Sequence, residues 1–348
     1  MTFYEIVNLI MMIKKFLLLI CFIVLSIYPS GYVLAQEVLV SGKTMGTTYH
    51  VKITAEHFIN PEKLKEQIDI RLKEINNSMS TFIKDSEISR FNALTSTSKK
   101  FYISDDFLQV MAVAKNIYKL SNGAWDCTIM PLVNLWGFNR YEEKRNLPAK
   151  KEIDRLLNKI GFDNIDIVEN RYLVKKKSSV SVDLGSIAKG YGVDQIAALI
   201  RTNKIQNFIV EIGGEVYASG LRKDGKNWKT GINRPDKYGS FDQIYKVVTL
   251  NNRALATSGN YRNFFEIYGK TYSHVFDPKT GYPVSNRVVS VSVIADNCTF
   301  ADGLATALMV MGAEKGLQLV KNLDKVECLI VVREKDGSLT DYYSRGFN

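Results

Sequence analysis

Apolar residues in this chain recur with two different periods, and the order in which those periods follow one another constrains the fold more than any other feature. Between residues 60 and 79, Leu64, Ile68, Leu72, Ile75 and Met79 return every three or four positions behind Asn60 as a cap and Pro61 in the first turn, which predicts an amphipathic helix. A second stripe of Phe107, Met111, Ala114 and Tyr118 starts at Ser104 and ends before Gly123, a residue suited to a left-handed cap. Further helices are expected from Pro148 to Gly161, over 186–200 and over 301–321. Strand patterning is distributed differently. Val38, Val40, Tyr49, Val51 and Ile53 alternate around a break at 43–46, predicting two strands or one interrupted strand. Segments 165–168 and 172–175 read as a hairpin, and 180–182 reads as a strand running into Asp183. From residue 208 the chain is rich in strands, over 208–212, 216–219, 228–232, 245–250, 264–267 and 288–294, with a closing pair around the Lys335-Asp336-Gly337 turn. Because helices and strands do not alternate strictly, the expected class is α+β: a single two-lobed domain with mixed or antiparallel sheets and packed helices. With no internal repeat, low-complexity tract or linker, one domain is expected over 36–348.

The first 35 residues read differently. Lys14 and Lys15 precede an apolar run over 16–27, and Pro29 and Gly31 lead to Val33-Leu34-Ala35 before Gln36, the three parts of a secretory signal. Met12 makes a more typical beginning for such a signal than Met1. An uncleaved anchor is the alternative, while lipidation at Cys21 is disfavoured by the bulk of Ile20. Beyond residue 35 the cysteines are Cys127, Cys298 and Cys328, an odd and widely spaced set that forms neither a disulfide framework nor a zinc site, so the fold must be held by its core. With 46% apolar and 24% charged residues, a sizeable core is available. The formal charge of +10 becomes +9 once two lysines and one glutamate leave with the signal. That surplus suits solubility, a phosphorylated or acidic partner, or peripheral contact with an anionic membrane. No basic run interleaved with aromatics marks a nucleic-acid groove.

Three short segments carry chemistry. Val182-Asp183-Leu184-Gly185-Ser186-Ile187-Ala188-Lys189-Gly190 is a strand ending in an acid and turning into a helix through small residues, which suits the approach of a phosphate to a helix N-terminus. The plainer reading makes Asp183 a helix cap. In Ala301-Asp302-Gly303-Leu304-Ala305-Thr306, placed at a helix start, Asp302 and Thr306 are four apart, so their oxygens share a face and can hold a hard cation such as magnesium. The plainer reading is again a cap, with Thr306 bonded to its own helix. The third segment sets His274 before the turn-rich stretch 277–283, where an imidazole titrating near neutrality can act as a base or serve packing alone. Other distinctive pieces are Lys43-Thr44-Met45-Gly46, Met79-Ser80-Thr81-Phe82, Gly123-Ala124-Trp125-Asp126, Asn134-Leu135-Trp136-Gly137-Phe138, Ile212-Gly213-Gly214-Glu215 and Ala256-Thr257-Ser258-Gly259-Asn260. Trp125 and Phe82 can sandwich a planar ring system, and Asp126 offers acceptors to its edge.

Together and in this order, over residues 43–320, these segments resemble the FAD:protein FMN transferase family, the ApbE-type flavin transferases. The resemblance implies a magnesium-dependent enzyme that moves FMN from FAD to a Thr or Ser hydroxyl of another protein. It implies that Asp302 and Thr306 are magnesium ligands together with the backbone carbonyl of Ser186. It further implies that Met45, Phe82, Ala124, Trp125, Asp126, Asp183, Lys189 and Val275 line the FAD site, and it places His274 in the family's His-containing loop as the candidate base. Phe82 stands where the family often has Tyr, removing a hydroxyl, and Trp125 replaces a commoner Phe. The acceptors implied are membrane-bound redox subunits facing the outside of the cytoplasmic membrane, which puts this protein in the periplasm or on that outer face. Two rival readings remain: an FAD pyrophosphatase in which water replaces the acceptor hydroxyl at the same metal site, and a flavin-binding protein without catalysis that needs the aromatic pocket but not Asp302 or Thr306.

Overall fold

The structure is a computed structural model that describes residues 3–4, 11–16, 36–138, 146–168, 171–236, 243–261 and 263–347. The expected signal therefore lies, from residue 17 to 35, outside the described residues. No described helix is long and apolar enough to cross a membrane.

From residue 36 the chain opens with β1 (Gln36–Thr44) and β2 (Thr47–Ala55), an antiparallel hairpin. Met45 and Gly46, with φ of 48° and 72°, form its two-residue turn, so the break in the pattern at 43–46 is a hairpin end. A helical lobe follows: α1 (Pro61–Met79), α2 (Glu87–Ala93), the short β3 (Phe101–Tyr102), α3 (Asp105–Leu120), α4 (Met130–Leu135) and α5 (Lys150–Leu157). It ends in the hairpin β4 (Ile165–Val168) and β5 (Tyr172–Lys175), which pairs with β3. Asn60 caps α1 through the Lys63 N–H at 3.0 Å, as the sequence predicts, and Ser104, where the sequence places the start of the second helix, caps α3 through the Phe107 N–H at 3.2 Å. Helix α6 (Ala188–Thr202) returns the chain to the main sheet.

The second half supplies β6 (Asn207–Ile212), β7 (Glu215–Ser219), β8 (Trp228–Asn233), β9 (Ile244–Leu250), β10 (Arg253–Gly259), β11 (Phe264–Ile267), β12 (Lys270–Ser273) and β13 (Val288–Ala295). After them come α7 (Cys298–Met311), α8 (Ala313–Val320), β14 (Glu327–Arg333) and β15 (Leu339–Tyr343). The main sheet runs β1-β2-β6-β7-β10-β13-β14-β15 and its pairs are antiparallel throughout. Strand β6 alternates buried and half-exposed residues, whereas β7 and most of β13 and β14 are buried along their length. Both faces of the sheet's middle are covered, so alternation is lost there. One face packs on α1, α3, α6 and α7 through Ile68, Phe107, Val193 and Leu308, and the other packs under the β8–β9 hairpin through Trp228, Val248 and Leu329. The fold is α+β, as expected.

Four local expectations are corrected. Helix α7 begins at Cys298, capped by Asn297 accepting the Phe300 N–H at 2.9 Å, so Ala301 and Asp302 lie past its first turn. Gly312, with φ of 82°, separates α7 from α8, where the sequence suggests one helix to 321. Residues 180–182 pair with no strand among the described residues, and α6 starts at Ala188 rather than Ser186. The helices α2 and α4 and the strands β10 and β12 lack a clear signal. For β10 the cause is composition, since Ala254, Ala256, Ser258 and Gly259 give a small-residue run with little strand propensity.

Helices α6 and α7 meet at Gly190. A side-chain Cβ there would stand 2.3 Å from the Cys298 carbonyl oxygen and 2.8 Å from Asp302 Cβ, so only glycine permits the contact. Replacing Gly190 by Ala is expected to cost about 1–3 kcal/mol of unfolding free energy in a urea titration, the usual penalty of overpacking. An unchanged midpoint would mean that the two helices do not approach so closely.

Candidate functional site

The stretch before α6 is held extended without a strand partner. The Asn92 side chain replaces one: its amide donates to Val182 O at 2.8 Å while its oxygen accepts the Val182 N–H at 2.7 Å. The next N–H, of Asp183, donates to Cys127 O at 2.7 Å. Asn92 is held in turn by Lys175, buried on β5, which donates to the carbonyls of Asn92 and Leu94 at 3.1 and 2.8 Å. Burial lowers the pKa of that ammonium to about 8. The Asp183 carboxylate then turns the chain by accepting the Gly185 N–H at 2.7 Å, so it shapes the turn and does not cap the helix.

The N–H groups of Ile187 and Ala188 donate to Leu184 O, and that of Gly190 donates to Asp302 Oδ2 at 2.9 Å. The start of α6 therefore offers a ligand fewer bare amides than the sequence suggests. Positive charge comes from Lys189 instead. From α6, Asp194 accepts the Cys298 and Thr299 N–H groups, both at 2.8 Å, and secures the start of α7. Asp302 is therefore no cap. Thr306 lies one turn further along the same helix, and its hydroxyl is 2.8 Å from the Ser258 hydroxyl on β10.

These groups line one cavity of about 490 Å³, within the range of small-molecule sites. Of the residues singled out in the sequence, Phe82, Ala124, Trp125, Asp126, Asp183, Ser186, Lys189, His274, Val275, Asp302 and Thr306 all border it. Met45 does not. It sits at the β1–β2 turn against the open side of Gly192 and packs on the main core. Trp125 is 3% exposed, and its indole N–H donates to Ser186 Oγ at 3.0 Å. Phe82 is 83% exposed on the loop before α2, so the two rings border the cavity from very different depths. Asp126 accepts the Thr128 N–H and hydroxyl with one oxygen and the Phe162 N–H with the other, so both its oxygens already serve the wall itself.

Lys189, Glu215 and Asp302 form one cluster of charged groups in the cavity wall. Lys189 Nζ lies 2.6 Å from Glu215 Oε2, and Glu215 is 1% exposed. Burial raises the Glu215 carboxyl and the neighbouring Asp302 adds to the rise, while the ammonium of Lys189 at ion-pair distance pulls it down and favours the carboxylate. For Lys189 burial works against its charge, but Glu215 and Asp302 outweigh it and raise its pKa. Burial also raises Asp302, with Lys189 opposing. A cation beside Asp302 relieves that penalty. His274 also lines the cavity, with Nδ1 3.0 Å from Asn263 O. A carbonyl only accepts, so Nδ1 carries the hydrogen and Nε2 keeps its lone pair. Burial and Lys189 lower the His274 pKa, although the contact with Asn263 opposes them, and the ring is neutral at pH 7.

The residues that sequence reasoning left without a role are Glu215, Ser258, Asn92 and Asp194. Glu215 and Ser258 stand in segments already distinctive for their glycines and small polar residues. Asn92 and Asp194 act through partners 90 and 104 positions away, which no local pattern reveals.

The ApbE family matches this chain over residues 45–330. An FAD:protein FMN transferase of Vibrio cholerae serotype O1 is 43% identical over 316 residues, spanning 90% of this chain and 92% of the relative. One from Haemophilus influenzae is 41% identical over 310 residues, spanning 88% and 89%. Among solved structures, the flavin transferase ApbE from Vibrio cholerae superposes with a TM-score of 0.81 at 39% identity, covering 90% of this chain and 98% of its own.

Asn92→Ala removes both bonds that hold Val182. The expected result is faster amide hydrogen exchange across 182–190 and a stability loss of about 1–3 kcal/mol. Unchanged exchange in that segment would show that the turn holds without the clamp.

Proposed function

The chain belongs to the ApbE family, and on that premise we propose that it is an FAD:protein FMN transferase, moving FMN from FAD to a Thr or Ser hydroxyl of another protein with release of AMP. The observation that carries this reading is that Trp125, the turn at Asp183–Ser186, Lys189, Asp302, Thr306 and His274 border one and the same cavity. In the reaction the acceptor oxygen bonds to the FMN phosphorus, the anhydride bond to AMP breaks, AMP leaves with the bond's electrons, and the hydroxyl proton passes to a base.

Each residue has a task in this scheme. Trp125 and the exposed Phe82 offer aromatic surface to the flavin ring from different depths of the cavity, with Ala124, Asp126 and Val275 completing the pocket. Gly185 and Ser186 leave room for phosphates near the turn that Asp183 shapes, and Lys189 supplies a fixed positive charge toward them. His274 Nε2 accepts the hydroxyl proton while Nδ1–H stays on Asn263 O.

A magnesium ion fits the donors present. Asp302 offers a carboxylate, Thr306 a hydroxyl and Ser186 a backbone carbonyl, all hard oxygen ligands. Among the described residues no group of three or more His, Cys, Asp and Glu could hold a metal ion. That suits an ion that takes one or two carboxylates and completes its shell from water and substrate phosphates. When bound, it supplies charge neutralisation on the pyrophosphate oxygens.

The Lys14-Lys15 and apolar segment supports export, with the enzyme working in the periplasm or on the outer face of the cytoplasmic membrane. Its acceptors there would be membrane-bound redox subunits, and the basic surface suits peripheral contact with the membrane.

Incubation with FAD, Mg²⁺ and an acceptor peptide, read by mass spectrometry, tests the reading. The expected product is a peptide bearing FMN, with transfer reduced roughly 100-fold or more in Asp302→Ala. AMP without a peptide adduct would mean hydrolysis, and an Asp302→Ala enzyme with intact turnover and Mg²⁺ dependence would remove the metal assignment. The pH profile tests the base. Because the His274 pKa is lowered, the neutral form persists below the ordinary value near 6.5, and activity is lost only as pH falls through the depressed value. His274→Asn is expected to abolish that acid limb, and a limb that survives would assign the base elsewhere.

A further inference from the structure

Two buried carboxylates, Glu215 and Asp302, act electrostatically on Lys189. It occupies the first turn of α6, and the N–H of the next residue, Gly190, donates to Asp302 Oδ2, so Asp302 lies within electrostatic reach of the ammonium. The ammonium is paired with the other carboxylate, at 2.6 Å from Glu215 Oε2. Two features of the backbone set this choice. Glu215 opens β7 directly after the Gly213–Gly214 turn, and the Lys189 stem runs past that turn, its Cδ only 3.4 Å from where a Cβ on Gly213 would be. Gly213 also has φ of 60° and backs onto Thr47, so no other residue fits there comfortably. A fully buried glutamate is costly without a partner, which holds Lys189 to Glu215.

A flexible, positively charged side chain next to Asp302 is a natural competitor for any cation at that carboxylate. We propose that Glu215 is a positioning residue that draws the Lys189 ammonium away from Asp302 and so keeps that carboxylate open for a divalent cation. This rests on the reading above that Asp302 is a metal ligand. The same pairing fixes where the ammonium stands relative to incoming phosphates, so one buried glutamate sets two features of the site. Lys189 is then a permanent cation beside the divalent one, and Glu215 keeps the two apart.

The test uses the full chain with saturating FAD, no acceptor, and Mn²⁺ followed by electron paramagnetic resonance, together with a crystal structure of Glu215→Gln. The isosteric Gln keeps the volume and removes the charge. Expected results are Mn²⁺ affinity weakened about tenfold or more in Glu215→Gln, near wild-type affinity restored in the Glu215→Gln, Lys189→Met double variant, and Lys189 Nζ turned onto Asp302 in the Glu215→Gln crystal. A Glu215→Gln protein that binds Mn²⁺ as wild type does, or that leaves Lys189 in place, overturns the inference. A wild-type chain that takes up no Mn²⁺ overturns the metal reading itself, and this inference with it.

Discussion

The hydrogen bond from the Gly190 N–H to Asp302 Oδ2 is the constraint on which the site depends. It joins two segments 112 positions apart, the small-residue turn into α6 and the carboxylate of α7, at a crossing where any side chain on residue 190 would strike the Cys298 carbonyl. Asp194 makes the converse link, reaching from α6 to the first amides of α7. Each helix thus satisfies backbone groups of the other, and the bare amides that usually end a helix are exchanged between partners. What remains open toward the cavity is side-chain chemistry, and that is why its charge is carried by Lys189, Glu215 and Asp302.

The surrounding fold serves to hold this pair of helices over the sheet. Strands β10 and β7 bring Ser258 and Glu215 to the cavity from below, and the helical lobe brings Trp125, Asp126 and the exposed Phe82 from the side. Between lobe and sheet, the turn at 183–186 hangs on Asn92, which itself hangs on Lys175. A buried lysine whose hydrogen bonds go to carbonyls is an expensive tether. It fixes the end of α2 next to the turn, so α2 links the loop carrying Phe82 to the proposed phosphate turn.

Much of the fold is legible in the sequence because helices α1 and α3 announce themselves by period and cap: Asn60 and Ser104 stand where the structure uses them. The antiparallel, non-alternating architecture follows from strands gathered after residue 207. Illegible features are those fixed by distant partners. No local rule identifies Asn92 as a side chain that imitates a neighbouring strand, and the segment it holds, 180–182, consequently reads as a strand itself. Small residues hide β10. Residue 301 reads as the start of the 298–311 helix although the true start carries a local cap, Asn297, which Asp194 reinforces from 104 positions away. For the site, local reading supplies residue types, and only the fold reveals that Asp126 is occupied by Thr128 and Phe162 and that Lys189 turns to Glu215.

The most direct measurement is an anomalous difference map from crystals of this protein grown with FAD and Mn²⁺. The account predicts one strong peak in bonding distance of Asp302 and Thr306, with the FAD pyrophosphate between that peak and the turn at 183–186. A peak elsewhere in the molecule, or phosphates ordered away from that turn, would contradict it.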